Sequence, residues 1–356
     1  MTNRIESLRQ AMPQGVDGVL VVSAQNRYYF TGMRSTAGTL LVTRDASYFI
    51  IDFRYIELAK RTVQSAQVIL QDKLGTQLQE LVQRHGLKTL GLETSYMTVG
   101  EKVQIAGWLP DVTLLETDEV DKVILKLRSK KDESELAYIE EAQKITDDCF
   151  AHILNFIRPG VTERAIAVEM LNRMMSQGAD GLAFDTICIS GVNTSLPHGK
   201  PTDKKVEAGD FVTMDFGAAY AGYCSDMTRT VAVGHVTDEM RKVYDTVLEA
   251  QLRSIAAITP TSDCSEIDAV ARNLIYGAGY EGCFGHSLGH CVGLDIHESP
   301  RFASNYHENC YPGMVITVEP GIYLEGKFGC RIEDMVYIRQ DSVEDLTHSP
   351  KELLVL

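Results

Sequence analysis

The segment TMDFG, residues 213–217, returns later in the chain as TVEPG, residues 317–321, with a threonine, a hydrophobe, an acid and a glycine in register. Each segment then runs through a turn into a second acid. In the first, Tyr220-Ala221-Gly222 makes the turn and Cys224-Ser225-Asp226-Met227 follows; in the second, Leu324-Glu325-Gly326 makes it and Cys330-Arg331-Ile332-Glu333-Asp334-Met335 follows. The chain therefore reads as carrying one acid-bearing hairpin twice. Side chains alternate faces along a strand, so Val212, Met214 and Phe216 share one face, and Thr213 and Asp215 the other. In the second copy Ile316 and Val318 lie opposite Thr317 and Glu319. A single strand acid is ordinarily a solvated one. Four on one sheet face would repel, because carboxylates within about 4–6 Å of one another shift their pKa values by units. Two divalent cations would resolve that conflict.

Working outward, the hairpins belong to a region where two periods alternate. The long amphipathic stretch Asp132–Ile157 ends at Pro159-Gly160, a stop signal for a helix. Helices are expected at Thr162–Gln177, Glu239–Ile258 and Glu266–Tyr276, the last opened by Asp263. Period-two strands are expected at Phe184–Ser190, Phe211–Gly217, Ser225–Val233, Met314–Pro320 and Arg331–Arg339. This is an α+β domain, with helices covering a mainly antiparallel sheet. Upstream, a helix at Arg4–Met12, strands at Val16–Val22, Thr39–Thr43 and Tyr48–Asp52, and further alternating elements to Leu114 read as α/β. Two domains are expected, 1–125 and 126–356. The first has no glycine-rich phosphate loop, and its NRYYFTG motif, residues 26–32, carries no catalytic arrangement.

Composition excludes more than it assigns. A chain of 356 residues, 44% hydrophobic, can bury more than one core. A formal net charge of −15 repels nucleic acid, and the one short basic run is RSKK at Arg128–Lys131. No stretch of about 18 apolar residues offers a membrane span, and the beginning of the chain lacks the pattern of an export signal. A cytoplasmic protein is expected. The eight cysteines form no C-x-x-C pair and read as reduced thiols.

Histidine could complete the acid site. His286, His290 and His297 fall within GHSLGHCVGLDIHESP, residues 285–300, where Gly285, Gly289 and Gly293 imply close backbone packing. His198 sits in SGVNTSLPHGK between Pro197 and Gly199, a loop suited to presenting an imidazole. His152, His235, His307 and His348 read as structural.

From His198 through MDFGAAYAGYCSDMTRT, GHSLGHCVGLDIHE, TVEPGIY and RIEDMVYI, the chain resembles the pita-bread metallopeptidases, specifically their prolidase and aminopeptidase P branch. The amino-terminal half, with NRYYFTG, is similar to that family's creatinase-like domain. The resemblance implies an α/β creatinase-like amino-terminal domain, an α+β pita-bread catalytic domain, and an exopeptidase cutting the N-terminal Xaa-Pro bond of peptides. It puts the metal ligands at Asp215, Asp226, His290, Glu319 and Glu333, with Asp226 and Glu333 bridging two ions. Manganese is expected, with cobalt or zinc as alternatives. It also implies that Glu319 takes up the water's proton and that His198 and His297 stabilise the tetrahedral intermediate. His286 would line the pocket beyond the cut, and Arg301 or Arg331 could capture a substrate carboxylate. A homodimer is implied as well. Three alternatives stand beside this reading. Creatinase lacks the acid set, methionine aminopeptidase usually lacks the extra domain, and non-catalytic pita-bread proteins lose the ligands.

Overall fold

A computed structural model of the chain describes residues 4–356. It divides into two compact units, Met1–Arg128 and Ser129–Leu356. The first contains, in chain order, α1 (Arg4–Ala11), β1 (Gly18–Val21), α2 (Ala24–Thr31), β2 (Thr39–Thr43), β3 (Ser47–Ile51), α3 (Ile56–Thr62), β4 (Gln67–Leu70), α4 (Leu74–His85), β5 (Thr89–Leu92), α5 (Val99–Trp108), β6 (Thr113–Leu115) and α6 (Glu119–Ser129). Its strands make one six-stranded sheet in the order β4-β3-β2-β1-β5-β6. GVLV, TLLVT and SYFII are buried at every residue, the apolar run of strands covered on both faces. Position 125 falls inside α6, which continues to Ser129. The NRYYFTG motif lies on α2 and ends in Gly32, whose φ of 70° closes the helix in the left-handed region. Its Asn26 donates to the buried Glu93 at 2.6 Å, and Glu93 also accepts from the Ser23 N–H and hydroxyl. That part of the motif ties the helix to the sheet.

The second unit contains α7 (Glu133–Ile153), α8 (Glu163–Ser176), β7 (Gly181–Leu182), β8 (Ile187–Ser190), β9 (Phe211–Phe216), β10 (Ala218–Tyr220), β11 (Tyr223–Cys224), β12 (Met227–Ala232), α9 (Asp238–Ala257), α10 (Cys264–Gly277), β13 (Gly289–Cys291), β14 (Glu298–Phe302), β15 (Val315–Val318), β16 (Gly321–Leu324), β17 (Phe328–Arg331), β18 (Asp334–Ile338) and β19 (Val343–Asp345). Side chains of Asp132, Thr162, Thr237 and Asp263 cap its four helices, each by accepting backbone N–H groups of the first turn. All strand pairs here are antiparallel. The repeated segment is a repeated structure: β9 pairs with β12 around the inserted hairpin β10–β11, and β15 pairs with β18 around β16–β17. All five expected strands are shorter, two of them in ways that matter to the site. Phe184–Ser190 begins its ladder only at Ile187, and Arg331–Arg339 breaks at Ile332–Glu333. The break has a cause, since the Glu333 N–H turns away to donate to Thr228 O at 3.1 Å, joining the two hairpins. Two apolar clusters fill the unit. One packs α9 and α10 against β15 and β18, the other α7 and α8 against β9 and β12. All eight cysteines are free thiols.

Candidate metal centre

Strand register places the four acids. In the first hairpin Asp215 lies opposite Thr228 on β12 and Ile187 on β8, and Asp226 immediately precedes β12. In the second, Glu319 follows β15 and Glu333 precedes β18, at the end where Val318 pairs with Asp334. The backbone packs tightly here. A Cβ on Gly217 would lie 1.8 Å from Ser225 O, and one on Gly289 would lie 1.9 Å from Thr317 O, so both positions require glycine. His290, on β13, faces the acids across the second hairpin. Its Nε2 is 3.6 Å from Asp226 Oδ2 and 3.5 Å from Glu319 Oε1. All five residues line one cavity of about 600 Å³.

The electrostatics of this floor call for positive charge. Burial raises the carboxyl pKa of Asp226 well above its ordinary value, and the neighbouring Asp215 and Glu319 raise it further. Burial and then Asp226, Glu319 and Asp215 do the same to Glu333. Glu319 is pushed up to about 8, chiefly by burial, against the pull of Arg331. Two buried carboxylate oxygens, Asp215 Oδ1 and Asp226 Oδ1, find no donor among the described residues. Orphaned buried anionic oxygens are rare because each forfeits its hydration. Single ligand atoms of Asp226, His290 and Glu333 lie within 4.8 Å of one another. His290 Nδ1 is 3.1 Å from Cys291 O, an acceptor, so that nitrogen carries the proton and Nε2 keeps its lone pair. Burial and His297 hold its pKa down to about 4, which leaves it neutral near pH 7. Hard oxygens plus one neutral imidazole are a donor set for Mn²⁺, Co²⁺ or Zn²⁺, and the residues present fit such ions.

Around the floor stand the other histidines and arginines. His297 is exposed in the cavity, edge-on to His290 with ring centroids 4.4 Å apart, and burial lowers its pKa. His198 lines the same cavity from its loop. His286 is fully engaged: Nδ1 donates to Ser287 O at 2.8 Å and Nε2 accepts from the Tyr323 hydroxyl at 2.9 Å. Burial, with Arg331 adding to it, lowers its pKa to about 3. The two arginines differ sharply. Arg331 is 3% exposed. Its guanidinium donates to Asp215 Oδ2 at 2.6 Å, the Tyr323 hydroxyl at 2.7 Å, Thr228 Oγ1 at 3.0 Å and Pro197 O at 3.3 Å. Arg301, opposite His290 in the β13–β14 register, is exposed in the cavity, with its guanidinium 5.9 Å from the Tyr306 ring centroid.

Several residues that shape the floor were given no role by the sequence reading. The Thr228 hydroxyl donates to Glu333 Oε2 at 2.7 Å while accepting from Arg331, which fixes both side chains. Behind it the buried Arg229 holds Glu333 O at 2.7 Å and Asp334 Oδ1 at 2.7 Å. Thr317 Oγ1 accepts from the His290 N–H at 3.0 Å and lies 3.4 Å from Glu319 Oε1. The signal for Thr317 was present in strand parity, which puts each threonine on the side of its acid.

A cavity floored by paired acids from a duplicated hairpin, with a lone-pair imidazole among them, in a chain that also carries a separate α/β unit, defines a two-domain metallohydrolase. The chain belongs to metallopeptidase family M24, whose profile matches residues 137–340, and that of the creatinase/prolidase N-terminal domain matches residues 4–130. It thus joins a creatinase-like amino-terminal domain to a pita-bread catalytic domain, and membership implies divalent metal ions. An uncharacterised peptidase of Bacillus subtilis is 43% identical over 99% of this chain and 100% of its own length. The Xaa-Pro dipeptidase of Pyrococcus furiosus is 37% identical, again over 99% of this chain and all of its own. The solved structure of an Xaa-Pro dipeptidase from Bacillus anthracis superposes with a TM-score of 0.96 at 40% identity, covering 99% of both chains.

Proposed function

We propose that the chain is a dinuclear-metal exopeptidase that hydrolyses the N-terminal Xaa-Pro bond and favours dipeptides, with Asp215, Asp226, His290, Glu319 and Glu333 as its metal ligands. The observation that carries this is the pair of buried, donorless oxygens on Asp215 and Asp226 beside the His290 lone pair. The relatives named as Xaa-Pro dipeptidases support the choice of bond. Asp215 would hold one ion, His290 and Glu319 the other, and Asp226 with Glu333 both; manganese is our choice, ahead of cobalt or zinc. Such ions supply a Lewis acid and a water acidic enough to attack at neutral pH.

The chain's own groups account for the remaining steps. Glu319 Oε2, free of hydrogen bonds among the described residues, accepts the proton of the attacking water and returns it to the departing proline nitrogen. His198 and His297 make no hydrogen bond to other protein groups among the described residues, so both can donate to the oxyanion as the carbonyl becomes tetrahedral. His286, locked and neutral, forms the wall against the proline ring. Proline lacks an N–H and fixes φ near −65°, so a rigid ring gains orientation in such a pocket. Arg301 receives the terminal carboxylate, a role closed to Arg331 by its four existing partners.

Steady-state kinetics on Ala-Pro, Ala-Pro-Ala and Ala-Ala-Ala with Mn²⁺ test this. Ala-Pro should be the best substrate, and Arg301→Ala should raise its KM by roughly ten-fold or more while barely changing Ala-Pro-Ala. Equal rates on Ala-Pro-Ala and Ala-Ala-Ala would refute proline specificity. A homodimer is also proposed, and a monomer in sedimentation at micromolar concentration would contradict it. A cytoplasmic location suits the eight free thiols; recovery of the native protein from an exported fraction would overturn it.

A further inference from the structure

The amino-terminal unit has a cavity of its own, about 320 Å³ in volume. Its wall includes Val22 just past β1, Gln71 just past β4, and Gly38–Thr39 at the start of β2, which runs antiparallel to β1. The cavity therefore sits at the carboxyl ends of the parallel strands, the edge at which open α/β sheets receive ligands. One side is apolar, built from Leu20 of the sheet, Leu78 of α4, and Ile105 and Trp108 of α5. Arg27, the second residue of the NRYYFTG motif, lines the cavity as well.

Arg27 is 4% exposed, and two of its three nitrogens are accounted for: Nη1 donates to Val22 O and Nη2 to Ser35 O at 2.9 Å. Its Nε is buried without a partner. No ion pair to a carboxylate occurs among the described residues; Glu93, the acid whose charge acts on it, is itself bound by Ser23 and Asn26. A strut between two carbonyls would need only the two Nη atoms. A buried cation with an unused N–H is costly unless an anion completes it.

The chemistry of the walls selects the anion. Among the described residues, Arg27 is the one cation lining the cavity and Glu101 its one lining carboxylate, so a single negative charge suits the site better than a doubly charged phosphate. We propose that this cavity binds a small monocarboxylate with an aromatic or branched aliphatic body, its carboxylate on Arg27 and its body against Ile105 and Trp108. The site stands apart from the catalytic reading and does not depend on it.

Trp108 is the one tryptophan of the chain and lines the cavity, so its emission reports occupancy directly. The metal-loaded full chain is titrated with phenylacetate, with phenylacetamide as the same body without charge, and with inorganic phosphate as charge without the body. A saturable change in emission with phenylacetate alone is expected. Arg27→Met should weaken it at least about ten-fold. Should that variant fail to fold, Ala37→Leu, which adds bulk at another lining residue and keeps the guanidinium, should abolish the response with Ala-Pro hydrolysis intact. The proposal is overturned by no saturable response to phenylacetate, by an equal response to phenylacetamide or phosphate, or by a response that survives Ala37→Leu.

Discussion

Residues divide by what burial does to them. The four acids are legible as a group because a segment recurs with its acid in register, and strand parity sends each acid to its threonine's side. Sequence left Arg301 and Arg331 open as carboxylate receptors, since both lie near site motifs. Burial separates them: Arg331 is closed around Asp215, Tyr323 and Thr228, and Arg301 is exposed. Thr228 was not legible, because its part depends on Glu333 approaching from the other hairpin. The proposed roles separate by experiment. Asp226→Asn and Glu333→Gln should lose both bound metal, counted by atomic absorption, and several orders of magnitude in turnover, with an unchanged circular dichroism spectrum. His198→Ala and His297→Ala should keep their metal and lose about 10²–10³ in kcat, the usual worth of an oxyanion donor. A histidine variant that lost its metal would belong with the ligands instead.

Elements were read well where the signal is local. Thr162 and Asp263, read as helix openings, cap α8 and α10, while the cap of α9 is Thr237, two residues before the expected start at Glu239. The break between β17 and β18 was not readable, since it follows from a hydrogen bond to Thr228 O more than a hundred residues away. That break lets Glu333 sit between the hairpins, where its charge acts on the neighbouring acids, and the titration of one of these, Glu319, has a consequence for stability. In metal-free protein Glu319 has a folded pKa of about 8, raised mainly by burial. A carboxyl whose folded pKa exceeds its unfolded value binds the proton more tightly when folded, so it stabilises at low pH and loses that stability as pH rises toward the folded value. Above pH ~6.5 the unfolded histidines are mostly neutral and no longer oppose this trend. The metal-free chain should therefore lose stability between pH 6.5 and 8, by up to about 1.4 kcal/mol per pH unit for one proton. Thermal melts at both ends of that range test the sign, and loading with Mn²⁺ should remove the slope. A metal-free melting temperature that rose with pH would contradict it.

At the scale of the whole molecule, the amino-terminal unit was legible as α/β from its strands but mute about chemistry, because its cavity is assembled from β1, α2, β2, α4 and α5 and no local motif spans them. The catalytic unit carries its chemistry in repeated local segments, which is why its site could be approached from sequence. What holds the account together is that the acid floor is built for cations. The most direct measurement is Ala-Pro hydrolysis by chelator-treated protein as Mn²⁺ is returned stepwise. The account predicts negligible activity at the start and a rise that saturates at two ions per chain. Full activity in the metal-free protein would contradict it.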